Sequence, residues 1–146
     1  MQDKTIDYIL RHTWQAVARM YNEEAAKYSA TMATGFALLS IDRENGTPST
    51  TLGPRMGMEA TSLTRTLKSM EEKGLIIRKK NPADGRGVLI YLTELGKEKR
   101  ELSKNTVLKF NDTVRANLTD EKLQNFMEVA EIINELITDK KIFNDK

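Results

Sequence analysis

Apolar residues recur every three or four positions along most of this chain, a period typical of helices that bury one face. The pattern predicts a first helix from Thr5 to Tyr28 and a second from Met32 to Arg43. Two more long helices follow Thr93 and Thr119, whose hydroxyls are placed to cap them. The chain is therefore expected to be mainly α-helical.

The middle of the chain departs from this regular pattern. A short helix is predicted from Ser49 to Gly57 and another from Glu59 to Lys73, which stops at a glycine. Strand-forming residues then run from Leu75 to Lys80 and from Val88 to Leu92, on either side of a turn. Helix, turn, helix and hairpin in this order are typical of a DNA reader, so we expect an α+β fold with a small β-hairpin.

The face of the Glu59–Lys73 helix opposite its apolar stripe is short and polar. At about 100° per residue, the stripe holds Ala60, Leu63, Leu67 and Met70. The side chains on the opposite face carry hydroxyl or basic groups: Thr61, Ser62, Arg65, Lys68 and Ser69. Such groups suit hydrogen bonds to base edges and phosphates.

Positive charge collects in the same part of the chain. The formal net charge is only +2. Residues 48–104 carry 12 Lys and Arg against 7 Asp and Glu, whereas residues 1–47 carry 5 against 6 and residues 105–146 carry 6 against 8. A local excess of this size fits phosphate binding, but it is equally typical of a solvated surface.

The same residues resemble the multiple antibiotic resistance regulator (MarR) family of winged helix-turn-helix repressors. The similarity lies in RMGMEATSLTRTLKSMEEKGLIIR at 55–78 and NPADGRGVLIYLTELGKE at 81–98. Its most specific parts are the EEKGLI helix exit, the wing with Asp84 and Arg86, and the LTELG helix entry. In helix order the similarity extends over nearly the whole chain.

The resemblance implies DNA-binding roles for particular positions. The Glu59–Lys73 helix would enter the major groove, where the planar Arg65 fork can donate two hydrogen bonds to guanine. Arg86 would enter the minor groove, and Asp84 would orient it. The remaining expected contacts, mostly to phosphates, are Thr50, Thr51, Thr61, Ser62 and Lys68.

Two residues depart from what these elements usually carry. Pro54 lies inside the first helix of the pair, where its missing N–H is expected to kink or shorten the helix. Glu59 stands where Ser or Asp would normally cap the recognition helix, and its longer side chain is a poorer cap.

The flanking helices predict a dimer. The last helix is apolar on more than one side, which is hard to satisfy within one small domain. By resemblance, residues 1–30 and 97–146 would be dimerisation helices around a winged helix-turn-helix at 32–96, in a single domain of residues 1–146. An ordinary monomer core is the alternative interpretation.

The resemblance also implies a small aromatic or anionic effector that is bound between the dimerisation helices and the reader. Trp14, Met32 and Phe36 are the candidates to line such a site, although residues of this type at helical spacing more often form plain core. The chain has no cysteine, which excludes a disulfide, a thiolate metal site and thiol-based sensing. We expect no cofactor and no metal.

Other functional classes find little support. The only histidine, His12, falls on the polar side of the first helix, and no nucleophile–base pair or phosphate loop is visible, so we expect no enzyme activity. No apolar run approaches the roughly 20 residues of a membrane span, and the polar start is not a signal peptide, so a cytoplasmic location is expected. A winged-helix module that binds protein, or DNA without sequence preference, remains the alternative.

Overall fold

The computed structural model describes residues 4–83, 85 and 87–144. Within these residues there are six helices and three short strands. In chain order they are α1 (Ile6–Ala26), α2 (Met32–Ser40), β1 (Thr47–Pro48), α3 (Ser49–Met56), α4 (Ala60–Glu72), β2 (Ile76–Lys80), β3 (Val88–Leu92), α5 (Glu94–Ala116) and α6 (Asp120–Thr138). The predicted mainly helical α+β class is confirmed.

The strands form one antiparallel sheet in the order β1-β3-β2. The predicted hairpin pairs Ile76 with Leu92 at its base and Lys80 with Val88 near its tip. The strand β1 was not predicted, because two residues are too few to show an alternating pattern. Its Pro48 is tolerated because β1 lies at the edge of the sheet.

One buried cluster joins the sheet to α2, α3 and α4. Its largest fully buried side chains are contributed by five separate parts of the chain: Ile41, Leu52, Met70, Ile76 and Ile90. Burying a side chain of this size contributes about 1.5–3 kcal/mol relative to leaving it exposed. This core holds α4 in place through its apolar stripe.

Threonine hydroxyls cap the starts of four helices, at Thr93 and Thr119 as predicted and at Thr5 and Thr31 without a prediction. The Thr5 and Thr119 side chains accept hydrogen bonds from the Tyr8 and Lys122 amides, at 3.4 and 3.1 Å. The Gly96 amide donates to Thr93 Oγ1 at 3.0 Å, which caps the first turn of α5. Each cap satisfies a backbone donor that the helix itself cannot.

Helix α2 ends three residues before the predicted Arg43. Ile41 is already extended (φ −86°, ψ 130°) and its side chain is buried. Asp42 then accepts hydrogen bonds from the Glu44 and Asn45 amides at 2.8 Å each, which forms a tight turn. Such local side-chain bonds compete with helix propagation, and the apolar period could not show where they win.

The chain divides into two compact units, Met1–Lys104 and Asn105–Lys146. The first unit contains the buried cluster and the sheet. The second contains the later turns of α5 and all of α6, in which no residue is buried. In the part of the chain that the structure describes, no helix has both the length and the apolar character to cross a membrane.

Candidate nucleic-acid interface

Helix α4 has one buried face and one exposed face. Leu63, Leu67 and Met70 are buried in the core, as their spacing predicted. Ala60, which was assigned to the same stripe, is instead exposed at the first position of the helix. Four of the five polar side chains on the far side are exposed: Thr61, Ser62, Arg65 and Lys68. Ser69, which was assigned to the same face, is half-buried.

The hydroxyls of α4 divide into two groups. Thr64 Oγ1 donates to the Ala60 carbonyl at 2.8 Å, and Thr66 Oγ1 donates to the Ser62 carbonyl at 3.1 Å. Within the described residues, the hydroxyls of Thr61 and Ser62 make no hydrogen bond. Their donors are therefore available to an external acceptor, while those of Thr64 and Thr66 are already used.

The start of α4 lacks a side-chain cap. Glu59 has the extended backbone of an N-cap residue (φ −71°, ψ 152°), but its carboxylate makes no cap hydrogen bond. The first amides of α4 consequently have no partner from this side chain. The poor cap expected from Glu59 is thus confirmed.

The supporting helix α3 is only eight residues long. Pro54 lies inside it, and the helix ends two residues later at Met56, before Gly57 in the left-handed conformation (φ 62°). At its start, Thr50 is exposed, whereas Thr51 Oγ1 donates to the Pro48 carbonyl at 2.9 Å. The Thr51 hydroxyl can therefore donate to a phosphate only if it gives up this bond.

The turn between β2 and β3 is closed by backbone and side-chain bonds. The Asn81 amide donates to the Gly87 carbonyl at 3.0 Å, and the Ala83 amide donates to Asn81 Oδ1 at the same distance. The two predicted wing residues, Asp84 and Arg86, lie outside the described residues.

Besides Arg65 and Lys68 on α4, three consecutive basic residues are exposed on β2: Arg78, Lys79 and Lys80. Arg78 Nε is 3.4 Å from the Glu71 carboxylate of α4, and Lys79 Nζ is 5.1 Å from the centre of the Tyr91 ring. The sequence pattern predicted these residues as the end of a strand and as part of the basic segment, but not as DNA contacts. The run RKK at the end of a predicted strand was the signal that could have assigned them to the interface.

The three predicted effector residues lie on α1 and α2. Phe36 is half-buried and meets Tyr21 edge to face, with ring centres 5.7 Å apart. The Met32 amide donates to Asn22 Oδ1 at 2.9 Å. Trp14 precedes Tyr21 by two helical turns, and 51% of its surface is exposed. Phe36 thus packs against α1, while most of the Trp14 side chain faces solvent.

The turn before β1 contains a carboxyl group with a shifted pKa. Hydrogen bonds from the Asn45 and Glu44 amides lower the pKa of the Asp42 carboxyl below its ordinary value of 3.8. The Asp42 amide also donates to the buried Thr47 Oγ1 at 2.8 Å. The charged form of Asp42 therefore holds together the turn that leads into the sheet.

Comparison with known proteins finds a family model and curated relatives that are similar to this chain. The model of the MarR family matches residues 30–88. The uncharacterized HTH-type transcriptional regulator YdgJ of Bacillus subtilis (strain 168) is 32% identical over 53% of this chain and 48% of its own length. The HTH-type transcriptional regulator SarZ of Staphylococcus epidermidis is 28% identical over 86% of this chain and 83% of its own.

Solved structures of the same fold extend over almost the whole chain. MepR of S. aureus, solved as a complex with DNA, has a TM-score of 0.81 and 18% identity over 92% of this chain and 99% of its own. The reduced form of MarR from E. coli has a TM-score of 0.76 and 25% identity over 91% of this chain and 98% of its own. The PcaV regulator from Streptomyces coelicolor, in complex with its natural ligand, has a TM-score of 0.76 and 19% identity over 92% of this chain and 98% of its own.

Proposed function

The chain belongs to the MarR family of winged helix-turn-helix transcriptional regulators, and from this premise we propose that it binds a pseudo-palindromic DNA operator as a homodimer. In this proposal it acts as a repressor and is released by a small effector. We further propose that it has no enzyme activity, since the relatives are named as transcriptional regulators. A regulator must reach DNA, which supports the expected cytoplasmic location.

The exposed polar face of α4 is the observation that carries the proposal. Its buried stripe anchors the helix in the core, so Thr61, Ser62, Arg65 and Lys68 project from a rigid support. Arg65 can donate to guanine O6 and N7 together, whereas Lys68 is a point charge suited to a phosphate. Among the described residues, neither Arg65 nor Lys68 is held in an ion pair.

Exposed apolar side chains support the dimer. Helix α1 exposes Ile9, Leu10 and Trp14, and α6 exposes Phe126 and Ile132, each with about half or more of its surface accessible. Apolar patches of this kind in a soluble chain usually mark an interface. A symmetric pair would also present two copies of α4 to the two halves of a palindromic site.

A small aromatic or anionic effector is the proposed signal, with Trp14, Met32 and Phe36 as its contacts. The exposed Trp14 ring supports this assignment, and so does the natural ligand bound to PcaV. A thermal-shift titration with phenolic acids tests it: the binding of a ligand to the folded state raises the unfolding temperature, and Trp14→Ala should abolish the rise. If none of the acids shifts the wild type, this effector class is wrong.

Selection from a random duplex library tests DNA binding directly. The selected duplex and a scrambled version of it are compared at roughly 0.15 M salt, where surface charges are screened beyond about 8 Å. A specific regulator binds its site about 10³-fold or more tightly than the scrambled duplex. Equal affinities would instead favour the alternative, a module that binds DNA without sequence preference, and no binding would favour a protein-interaction module.

Arg65 is the residue on which base reading depends most. Arg65→Lys keeps the charge but removes the fork, so it should lose about 1–3 kcal/mol of discrimination at one base pair while the salt dependence stays unchanged. Lys68→Ala is the matched contrast, and should weaken binding to all sequences alike and lower the salt slope by about one. Unchanged base preference in Arg65→Lys would refute the assignment of Arg65.

A further inference from the structure

Two sequence motifs that the proposed contacts leave unexplained meet in the first unit. EEKGLI ends α4, and LTELG begins α5. Gly74 leaves α4 in the left-handed conformation (φ 75°), and Thr93 precedes α5. We define the α4–α5 joint as Gly74, Leu75, Thr93 and Gly96.

The Thr93 hydroxyl is at the centre of this joint. Its Oγ1 donates to the Gly74 carbonyl at 2.6 Å and accepts from the Gly96 amide at 3.0 Å. The Thr93 amide also donates to the Leu75 carbonyl at 3.0 Å. Thr93 therefore forms hydrogen bonds with both Gly74 and Leu75, which follow α4. The hydroxyl oxygen that donates to Gly74 also accepts a bond from the first turn of α5.

The approach of the two segments is unusually close at Gly96. This glycine is buried, and a Cβ placed on it would clash with the Leu75 carbonyl oxygen. Because that oxygen is backbone held by Thr93, it cannot move aside as a flexible side chain would. The first turn of α5 thus lies directly on the chain that leaves α4.

We propose that Thr93 is a positioning residue for DNA recognition, which fixes the orientation of α4 on the first turn of α5. This inference rests on the proposed function. Helix α4 must hold Arg65 and its neighbours at one angle to match base edges in sequence, whereas attraction to phosphates tolerates changes of angle. Loss of the joint should therefore reduce sequence preference more than overall affinity.

Three substitutions separate the two bonds of the hydroxyl. Thr93→Ser can make both. Thr93→Asp can cap α5 by accepting from Gly96, since Asp is a good N-cap, but its carboxylate cannot donate to Gly74. Thr93→Val has a similar shape and makes neither bond. Comparing Thr93→Ser with Thr93→Asp therefore isolates the bond to Gly74 from simple helix capping.

The measurement is the ratio of affinities for the selected duplex and its scrambled version, on the full chain. Thr93→Ser should keep the ratio within about twofold, whereas Thr93→Asp and Thr93→Val should lower it about tenfold or more. The added charge of Asp repels both duplexes and cancels in the ratio. Thr113→Val, which removes a hydroxyl bonded within α5 to the Lys109 carbonyl at 2.7 Å, should leave the ratio unchanged.

An unchanged ratio in Thr93→Asp would overturn the proposal, because capping alone would then explain Thr93. If Thr93→Val does not fold, the comparison of Thr93→Ser with Thr93→Asp still decides. If the wild type itself prefers no duplex, the proposed function fails, and amide hydrogen exchange tests the joint without DNA. The amide of residue 93, which donates to Leu75, should then exchange faster in Thr93→Asp than in Thr93→Ser, and equal rates would overturn the joint.

Discussion

Ser29 lies at the corner between α1 and α2 in the left-handed conformation, with φ 56°. Its amide donates to the Ala26 carbonyl at 3.1 Å, and the Ala30 amide donates to the Ala25 carbonyl at 3.0 Å. This pattern at a helix end usually places glycine where Ser29 stands. The Ser29 carbonyl also accepts from Lys73 Nζ, at the end of α4, at 3.2 Å.

Ser29→Gly should stabilise the protein. It removes a left-handed strain of about 1–2 kcal/mol, which exceeds the roughly 0.4–1 kcal/mol that glycine adds to the entropy of the unfolded chain. The net gain in the free energy of unfolding is about 0.5–1 kcal/mol, measured by urea denaturation. Gly57→Ala is the opposite control. Gly57 has φ 62°, and an added Cβ would meet no neighbouring atom, so the substitution adds backbone strain without a clash. It should lower the free energy of unfolding. A less stable Ser29→Gly would contradict this account of the corner.

Asp42 should make stability depend on pH in the acid range. The pKa of its carboxyl is lowered by the Asn45 and Glu44 amides, so its contribution is fully present above its ordinary value of 3.8 and is lost as pH falls through the lower folded pKa. The stability difference between the wild type and Asp42→Asn should shrink over that window. Carboxyl titration by NMR checks the direction independently, and a difference that persists at the lowest pH would refute it.

At the scale of single residues, side-chain chemistry was more predictable than side-chain surroundings. The exposed positions of Arg65 and Lys68 follow from helical periodicity. The hydrogen bond between Lys73 and Ser29 spans 44 positions, and no local pattern carries that information. The hydrogen bond from the Thr51 hydroxyl to the Pro48 carbonyl is local, but it was not predicted.

Among the elements, α4 combines strong anchoring with a weak start. Its three buried apolar residues hold it against the core, but Glu59 makes no cap hydrogen bond. The extended backbone at Glu59 is already that of an N-cap residue. The long side chain of glutamate makes it a poorer cap than Asp or Ser at this position.

Glu59→Asp should therefore stabilise α4 without a change of charge. A shorter carboxylate can accept an amide of the first turn, which contributes about 0.5–2 kcal/mol at a helix N-cap. The free energy of unfolding, from urea denaturation, should rise by about 1 kcal/mol. Glu59→Gln serves as the control, since it keeps the long side chain and should not add a cap. If both variants have the same stability, capping is not what limits the start of α4.

Element boundaries were predictable wherever a local signal ends or begins an element. Hydroxyl caps marked the starts of α5 and α6, and Gly74 marked the end of α4. The end of α2 and the strand β1 were not found. Both depend on pairing and burial across the chain, at Thr47 with Ile90 and at Ile41 in the core, rather than on a local period.

At the scale of the whole molecule, the exposed apolar face of α6 has the largest consequence. No residue of α6 is buried in the single chain. The apolar side chains of Phe126, Val129 and Ile132 each expose more than half of their surface. Water contact at such side chains costs about 25 cal/mol per Å² that a partner chain would cover. The proposed homodimer would remove this cost.

A charge on that face should weaken the dimer. Ile132→Glu would place a carboxylate in an apolar interface and should raise the dimer dissociation constant about tenfold or more. Gln124→Glu adds the same charge on the polar side of α6 and should leave the constant unchanged. Sedimentation equilibrium of both variants measures it. Equal dissociation constants for Ile132→Glu and the wild type would show that this face does not form the interface.

The sequence by itself determined the order of the helices, the hairpin, the polar face of α4 and the family resemblance, because periodicity, caps and glycine stops act between residues close in the chain. The tertiary structure alone decided the edge strand β1, the early end of α2 and the convergence of Gly74, Leu75 and Gly96 on Thr93. The edge strand and the bonds at Thr93 depend on which distant backbone groups lie within hydrogen-bond distance, and the end of α2 coincides with the burial of Ile41 in the core. Local patterns do not specify that distance, and the packed core does.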